Sequence, residues 1–480
     1  MMTEEKNKKL IYRLRSLDKL LYGDYQELEK QTVYFAPFSE LNDPMEGIVD
    51  MVWLGDSVVW ENLFRHYLLC MEHKVSLATL YKPEESEQFF KWSFPIFVCE
   101  EALPTELYKR RFKIIKDRFF SYELVIALID YLGNKKLPLR KNQLSAILSL
   151  ISDIALESIL FGHDDSGLQP QPFWDILRDT VNEVNSLNRH VEVIKMADSI
   201  PEENINALLT VAGRKIDELN LRHYCTMDDD INKINWFYFR SGFLQEYLEQ
   251  IPQLVYPNWY SASFLSKFPA NSVLWGHYGD SHKGVCLIFK TDRKDCEKDF
   301  NISLTPPKEI NYSSKLQIKD IIYSDERESE VEFFKRLWTQ PARIIYKEWY
   351  IDKNGHKSSY INEMNPTEEL RLAYWDKLDI IQTTKTTNWS YEHESRILIN
   401  GGFYDLSKAE NRTFKYNFND LEGIIFGIKT PMREKVKIIK IIARKCKENK
   451  RNDFKFYQSR YDDGNSTVVC DELSLLKFSE

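Results

Sequence analysis

The chain reads as an α+β protein: a mixed β-sheet built from both ends of the sequence around a cleft, with a large all-helical insertion between them. Three observations predict this. Short β-branched and aromatic runs bounded by Gly, Pro and Asx residues occur before residue 57 and again after 223. Between them, residues 58–222 repeat apolar positions at helical spacing, and strand signals are nearly absent. Several strand-like runs open from polar, turn-rich loops, where a sheet presents a cleft. The expected organisation is therefore an N-terminal part of the α+β core at 1–57, a helical insertion at 58–222 and the remainder of the core at 223–480, with about six to eight strands in all.

Taken in order, Leu10–Arg13 is the first strand, and Ser16 is a natural N-cap for a helix that buries Leu17, Leu20 and Leu21. Thr32–Phe35 is a second strand, stopped by Pro37, and the loop Phe38–Gly47 follows, ordered by Asx turns and the fixed φ of Pro44. Helical periodicity then marks 59–80, one long segment at 106–132, 143–161, 173–196 and 202–220. Strand character returns at 223–227, an aromatic helix is expected over 236–249, and strands at 257–264, 285–290 and 321–323. Residues 330–337 and 368–379 look helical; 397–399 and 423–427 look like buried strands, 436–441 like a helix or strand, and the polar tail like a fraying end.

Composition narrows the function. Aromatic content is 14%, enough to supply stacking surfaces as well as core. The net charge of −8 and pI of about 5.8 disfavour a broad electrostatic grip on nucleic acid. The seven cysteines form no C-x-x-C pair and read as reduced thiols of a cytoplasmic protein. The N-terminus is too polar for a signal peptide, and no apolar run reaches membrane-spanning length, so no membrane partner is expected.

The chemistry concentrates in Asn388–Ile399. Glu392 and Glu394, two apart, point the same way in an extended segment, and Arg396 joins them. Such a trio either carries chemistry at the mouth of a buried strand or neutralises itself as a structural ion pair. Arg13 and Arg15 flank the first strand and lie two apart, so both can point to one side, placed to hold phosphate or to form a surface salt bridge with Asp18 or Glu29. Asn42, Asp43 and Glu46 either face a ligand or order their own loop. His277 and His282 fit no zinc spacing, so no metal is expected, and His277 reads as a core histidine or a ligand contact. Gly276, Gly279 and Gly284 precede a strand rather than follow one, unlike a dinucleotide fingerprint.

Taken together, Tyr12–Ser16, Val33–Phe35, Leu41-Asn42-Asp43-Pro44-Met45-Glu46-Gly47, Leu274-Trp275-Gly276-His277-Tyr278-Gly279-Asp280, His282–Cys286 and Trp389–Arg396 resemble a bacterial family, domain-of-unknown-function family 2971, in blocks near 10–49, 257–290 and 385–430. That family supplies no activity, and its members are expected to have a shorter helical stretch. The order of parts also resembles an ADP-ribosyltransferase of the Arg–Ser–Glu kind: Arg13 or Arg15 on the first strand, Ser261-Ala262-Ser263 where Ser-Thr-Ser is usual, and Glu392-His393-Glu394 before a later strand.

This second resemblance implies an ADP-ribosyltransferase-like fold and NAD as substrate. Glu394 would stabilise the positive charge developing on the ribose, and Glu392 would orient or deprotonate the acceptor. Arg13 or Arg15 would hold the pyrophosphate and Ser261 the arginine or ribose, with Tyr34, Trp275 or Tyr278 stacking on nicotinamide. Ser263, His277, Asn42, Asp43 and Arg396 complete the expected ligand environment. The macromolecular acceptor is unspecified, and a toxin or antiviral effector role follows by analogy. Glu394→Gln is expected to abolish NAD turnover at nearly unchanged melting temperature. Two rivals stand beside it: a binding module that recognises a nucleotide without cleaving it and signals through the helices, and a nucleic-acid-acting enzyme using a basic groove of Lys109, Arg110, Arg111 and Lys113.

Overall fold

The computed structural model describes residues 8–78, 94–167, 191, 196, 199–226, 238–293, 299–326, 329–401 and 404–476. These fall into two compact units. One comprises residues 1–48, 257–328 and 374–480; the other comprises 49–256 and 329–373.

The first unit holds a twelve-stranded, mostly antiparallel sheet, more strands than the six to eight expected. Its strands are β1 (Lys8–Arg15), β2 (Thr32–Tyr34), β3 (Ala36–Pro37), β4 (Trp259–Leu265), β5 (Val285–Asp292), β6 (Asn301–Thr305), β7 (Lys315–Asp320), β8 (Glu394–Asn400), β9 (Thr413–Tyr416), β10 (Leu421–Phe426), β11 (Lys455–Asp462) and β12 (Thr467–Glu472). They lie in the order β12-β11-β10-β5-β1-β4-β8-β7-β6-β9-β2, with β3 on β4. Its helices include α1 (Leu17–Leu21), α2 (Glu27–Lys30), α3 (Ser272–His277) and α4 (Met432–Glu448), and the helix expected at 368–379 is present as Glu368–Gln382.

Strand β5 is apolar over Val285–Phe289 because both its faces are covered. On β1, Ile11 enters the larger core with Leu287 and Phe289 of β5, while Leu14 enters a smaller core on the opposite face with Cys286, Ile288 and Trp275. The Ser16 hydroxyl caps α1 through Lys19 N–H at 3.4 Å, as expected. The parallel pair β10–β11 is joined by α4, which settles 436–441 as helix: Ile438 and Ile442 face the larger core. The expected fraying tail is instead β11 and β12, paired from Tyr457 to Asp462. Phe456 and Val468 enter the two cores and bring those strands in.

One irregularity positions the site. Along one edge β4 pairs with β8 at every residue, from Trp259 opposite Asn400 to Leu265 opposite Glu394. Along the other, β3 covers Tyr260 and Ser261, and β1 meets only Leu265. Among the described residues no strand covers Ala262–Phe264 along that edge, so the sheet splits there. Pro37 therefore does not simply stop a strand; it ends a two-residue pairing and starts the turn Phe38–Glu40.

The second unit contains helices at Ser57–Ala78, Glu106–Phe119, Glu123–Gly133, Lys141–Asp165, Glu202–Thr226 and Phe243–Gln250. It is not wholly helical: Asp50–Trp53, Leu139–Arg140 and Glu330–Glu332 form a small sheet. The single long helix expected over 106–132 is two, because the chain turns at Ser121, whose hydroxyl bonds the Arg118 carbonyl. The strand expected at 223–227 is the end of a helix as far as Thr226, and 330–337 begins as a strand rather than a helix, since Val331 pairs beside Met51. The helix expected at 173–196 lies almost wholly outside the described residues, as do 79–80, Met227 and 236–237.

Lys141–Asp165 has the length and apolarity to cross a membrane, contrary to expectation, but 72% of its most apolar window is buried within the protein, as in a core helix. The basic segment at 109–113 is partly engaged within the protein. Arg111 turns inward to the buried Glu72 at 2.9 Å, and Lys109 pairs with Glu106.

Candidate functional site

A cleft of about 200 Å³ opens where β1 and β4 part. Tyr12 and Leu265 are register partners, so Arg13 and Phe264 share one face of the sheet, while Ser263, Glu394 and Arg396 share the other. All of them line the cleft, which is reached from both faces through the split.

One end is acidic. The chain passes from a 3₁₀ turn (Thr387–Glu392) through His393, in the left-handed conformation at φ +46°, into β8. This turn, not the strand alternation expected from the sequence, brings Glu392 and Glu394 to a common partner. Lys385 Nζ lies 2.7 Å from Glu392, 2.9 Å from Glu394 and 2.9 Å from Glu46. Arg396 donates to both oxygens of Glu394, at 2.6 and 3.0 Å, to Glu46 and to the Gln382 carbonyl. The Tyr278 hydroxyl donates to the other Glu392 oxygen at 2.5 Å, and Tyr323 Oη accepts from the Glu394 N–H. All five charged side chains are at most 5% exposed.

Burial pushes the Glu394 carboxyl up, but Arg396 and Lys385 outweigh it and hold it at about 2. Burial wins at Glu46, with Glu394 adding to it, and that carboxyl is raised. Burial lowers Lys385 and Arg396, but the carboxylates around them more than reverse it and keep both charged. Among the described residues no cluster of His, Cys, Asp and Glu is placed to hold a metal ion. The cations bridging the glutamates are side chains.

The other end is basic. Arg15 is bidentate to Glu27 and is thereby neutralised. Arg13, on the same side of β1, donates one nitrogen to the Tyr34 carbonyl at 3.4 Å and lies over the Phe264 ring. Its Nη1 is buried without a partner, as is the hydroxyl of Ser261. Burial, with Arg15 next to it, pushes Arg13 down to about 9. A bound anion would relieve both effects. Of the two arginines, Arg13 is therefore the one with a donor to spare.

The cleft gathers most of the residues singled out from the sequence: Arg13, Arg15, Tyr34, Asn42, Ser261, Ser263, Tyr278, Glu392, Glu394 and Arg396. Three do not line it. Trp275 is fully buried and donates its indole N–H to the Pro269 carbonyl at 2.8 Å, so it packs in the core and offers no stacking face. His277 is exposed, 3.5 Å from the Tyr391 hydroxyl. Asp43 turns back onto its own loop and accepts from Met45 N–H at 2.8 Å. Arg396 lines the cleft but is saturated by protein acceptors, so it organises carboxylates rather than contacting a ligand. Lys385 was missed: in Thr383-Thr384-Lys385-Thr386 it belongs to no motif, and only the fold brings it to the glutamates. Glu46 carries a signal in the Asn-Asp-Pro-x-Glu-Gly block, but nothing in that block links it to Lys385 and Arg396.

No curated protein and no solved structure matches the chain. Residues 274–397, a span that includes Tyr278, Lys385, Glu392, Glu394 and Arg396 of the cleft, match the family model described as protein of unknown function (DUF2971), which establishes the family resemblance over that segment.

Proposed function

We propose that the first unit is an NAD-using enzyme with ADP-ribosyltransferase-like chemistry, cleaving the bond between nicotinamide and ribose and passing the ADP-ribosyl group to water or to a macromolecular acceptor. One observation carries the reading: a single cleft holds a buried arginine and a buried serine with unpartnered polar atoms, together with a carboxylate cluster in which Glu394 is held ionised. The first pair suits a pyrophosphate and a ribose hydroxyl. The second suits a transition state in which the C–N electron pair leaves with nicotinamide and positive charge develops on the ribosyl carbon. Glu394, held ionised, supplies the stabilising field. Glu392 takes the proton of the attacking water or hydroxyl as the new C–O bond forms. Tyr278 and Lys385 hold Glu392 in place for this.

The test is nicotinamide release from NAD by the full chain, with and without a bacterial lysate as acceptor source. The wild type is expected to release nicotinamide, and Glu392→Gln to lose about 100-fold or more in kcat. Ser261→Ala removes no protein hydrogen bond, so it should raise KM at unchanged melting temperature. Absence of release by the folded wild type overturns the reading.

A second reading is favoured by the saturation of Glu394, both of whose oxygens are already ion-paired. It is a nucleotide-binding module in which the cluster is scaffolding. Calorimetric binding of NAD without turnover selects it.

A further inference from the structure

The chain is acidic overall, yet residues 429–451 carry ten Lys or Arg against only Glu434 and Glu448. On α4 the placement is ordered. Arg433, Lys437, Lys440, Arg444 and Lys447 recur at intervals of four, three, four and three, which is one stripe of a helix, with a cation about every 5 Å. The opposite stripe is used up: Ile438, Ile442 and Cys446 are buried in the core of the sheet. Arg433, Lys440 and Lys447 are exposed and have no hydrogen bond or ion pair among the described residues. Lys437 lies over the Tyr22 ring. The carboxylates that face the stripe are few: Glu29 pairs with Arg444, Glu448 lies 3.9 Å from it, and Glu434 accepts from the Tyr22 hydroxyl. Like charges four residues apart destabilise a helix, and among the described residues only Lys437 and Arg444 have partners that offset this.

The start of α4 is also linked through backbone contacts to the strand that carries Arg15. The turn that opens α4 is tied to the loop after α3, with Lys429 N–H donating to the His282 carbonyl at 2.9 Å and Gly427 N–H to Gly284 at 3.1 Å. Gly284 is packed so closely on Arg15 that a Cβ there would meet the Arg15 carbonyl at 2.3 Å. Lys19, exposed, lines the cleft beside Arg15.

We infer that α4 docks a nucleic-acid strand, its phosphates lying along Arg433, Lys437, Lys440, Arg444 and Lys447. A straight row of cations suits a polymer charged at every residue. A lipid surface suits it less, because the apolar face that would enter the bilayer is buried in the protein, and the exposed Met432 and Val436 are confined to the first turns. That the docked strand is the acceptor of the ADP-ribosyl group rests on the reading in the preceding subsection; the docking itself does not.

The experiment measures binding of a single-stranded RNA and the matching DNA to the full chain, without NAD, as salt rises from about 50 to 200 mM. Five phosphate contacts predict a slope of log K against log salt of about −3.5, a loss of about 100-fold across that range. Lys440→Glu combined with Lys447→Glu, both exposed, should reduce the slope by about 1.4 and weaken binding at least about tenfold at low salt, with circular dichroism confirming the fold. Charge-neutral Lys440→Gln with Lys447→Gln should fall between. Absence of binding at low salt, binding unchanged in the variants, or binding only to phosphatidylserine vesicles each overturns the docking. If the wild type binds nucleic acid but leaves NAD intact, the docking stands and the enzymatic reading falls. If it cleaves NAD but binds no nucleic acid, the reverse holds.

Discussion

At the scale of single residues, the acidic end of the cleft depends on charge balance. Glu394, Glu46 and Glu392 share Lys385 and Arg396 at the cleft wall, where each side chain is at most 5% exposed. Removing one partner of a buried pair typically costs about 3–5 kcal/mol, because the remaining charges stay behind unpaired. Glu394→Gln is therefore expected to destabilise the protein by about 3 kcal/mol at neutral pH, correcting the sequence-based expectation of an unchanged melting temperature. The sign of the pH dependence follows. The carboxyl titrates at about 2 in the folded chain, below its ordinary value of 4.5. Its stabilisation is thus fully present above 4.5 and lost as pH falls through about 2. Urea denaturation of wild type and variant should show a gap that is constant near neutrality and closes as pH drops through that window; a gap independent of pH would mean that Glu394 is not ionised in the folded chain. This part of the site was half legible. Glu392, Glu394 and Arg396 stand together in the sequence, but Lys385 becomes their partner only through the fold, and nothing in its neighbours announces it.

At the scale of elements, the loop after β3 delivers Asn42 and Glu46 to the cleft, and Gly47 fixes its path. Gly47 has φ +63°, and a Cβ there would lie 2.5 Å from the Phe38 ring and 2.9 Å from the Gln382 amide oxygen. Both the backbone and the space demand glycine. Gly47→Ala should cost about 1–3 kcal/mol and move Glu46 off Lys385. A lowered urea midpoint with weakened NAD binding checks this, and an unaltered midpoint would show that the loop relaxes freely. The glycine was visible in the Asn-Asp-Pro-x-Glu-Gly block, since Asx, Pro and Gly each have a turn mechanism. The split between β1 and β4 was not. Ser261-Ala262-Ser263 reads as an ordinary strand, and whether its edge is paired depends on β1 and β3, more than 200 positions away in the sequence. The basic stripe of α4 was obscured for another reason: Val436, Ile438, Ile439 and Ile441 fit strand and helix periods equally over so short a run.

At the scale of the molecule, three sequence-distant segments make one sheet, and this explains which parts of the fold could be read in advance. The helical stretch was legible because each helix writes its own 3.6-residue period locally. The alternation of β1 was legible too, but its neighbours β5 and β4 lie hundreds of residues on, and order and strand number are set by those non-local pairings. The same asymmetry predicts unequal tolerance to truncation. β1 sits inside the sheet, paired with β5 from Lys8 opposite Asp292 to Arg15 opposite Val285, and it carries Arg13. β12 ends the strand order and, among the described residues, pairs only with β11. Deleting residues 8–15 should therefore abolish both the cooperative unfolding of the first unit and NAD binding, with helical circular dichroism from the second unit persisting. Deleting from Thr467 onward should lower the melting temperature yet keep NAD binding, because none of the cleft's lining residues lies beyond Arg396. Equal loss from both truncations would mean that the two-layered core, with Val468 packed beside Leu14 and Trp275, cannot shed its outermost strand, and the sheet would have to be regarded as one cooperative body from β12 to β2.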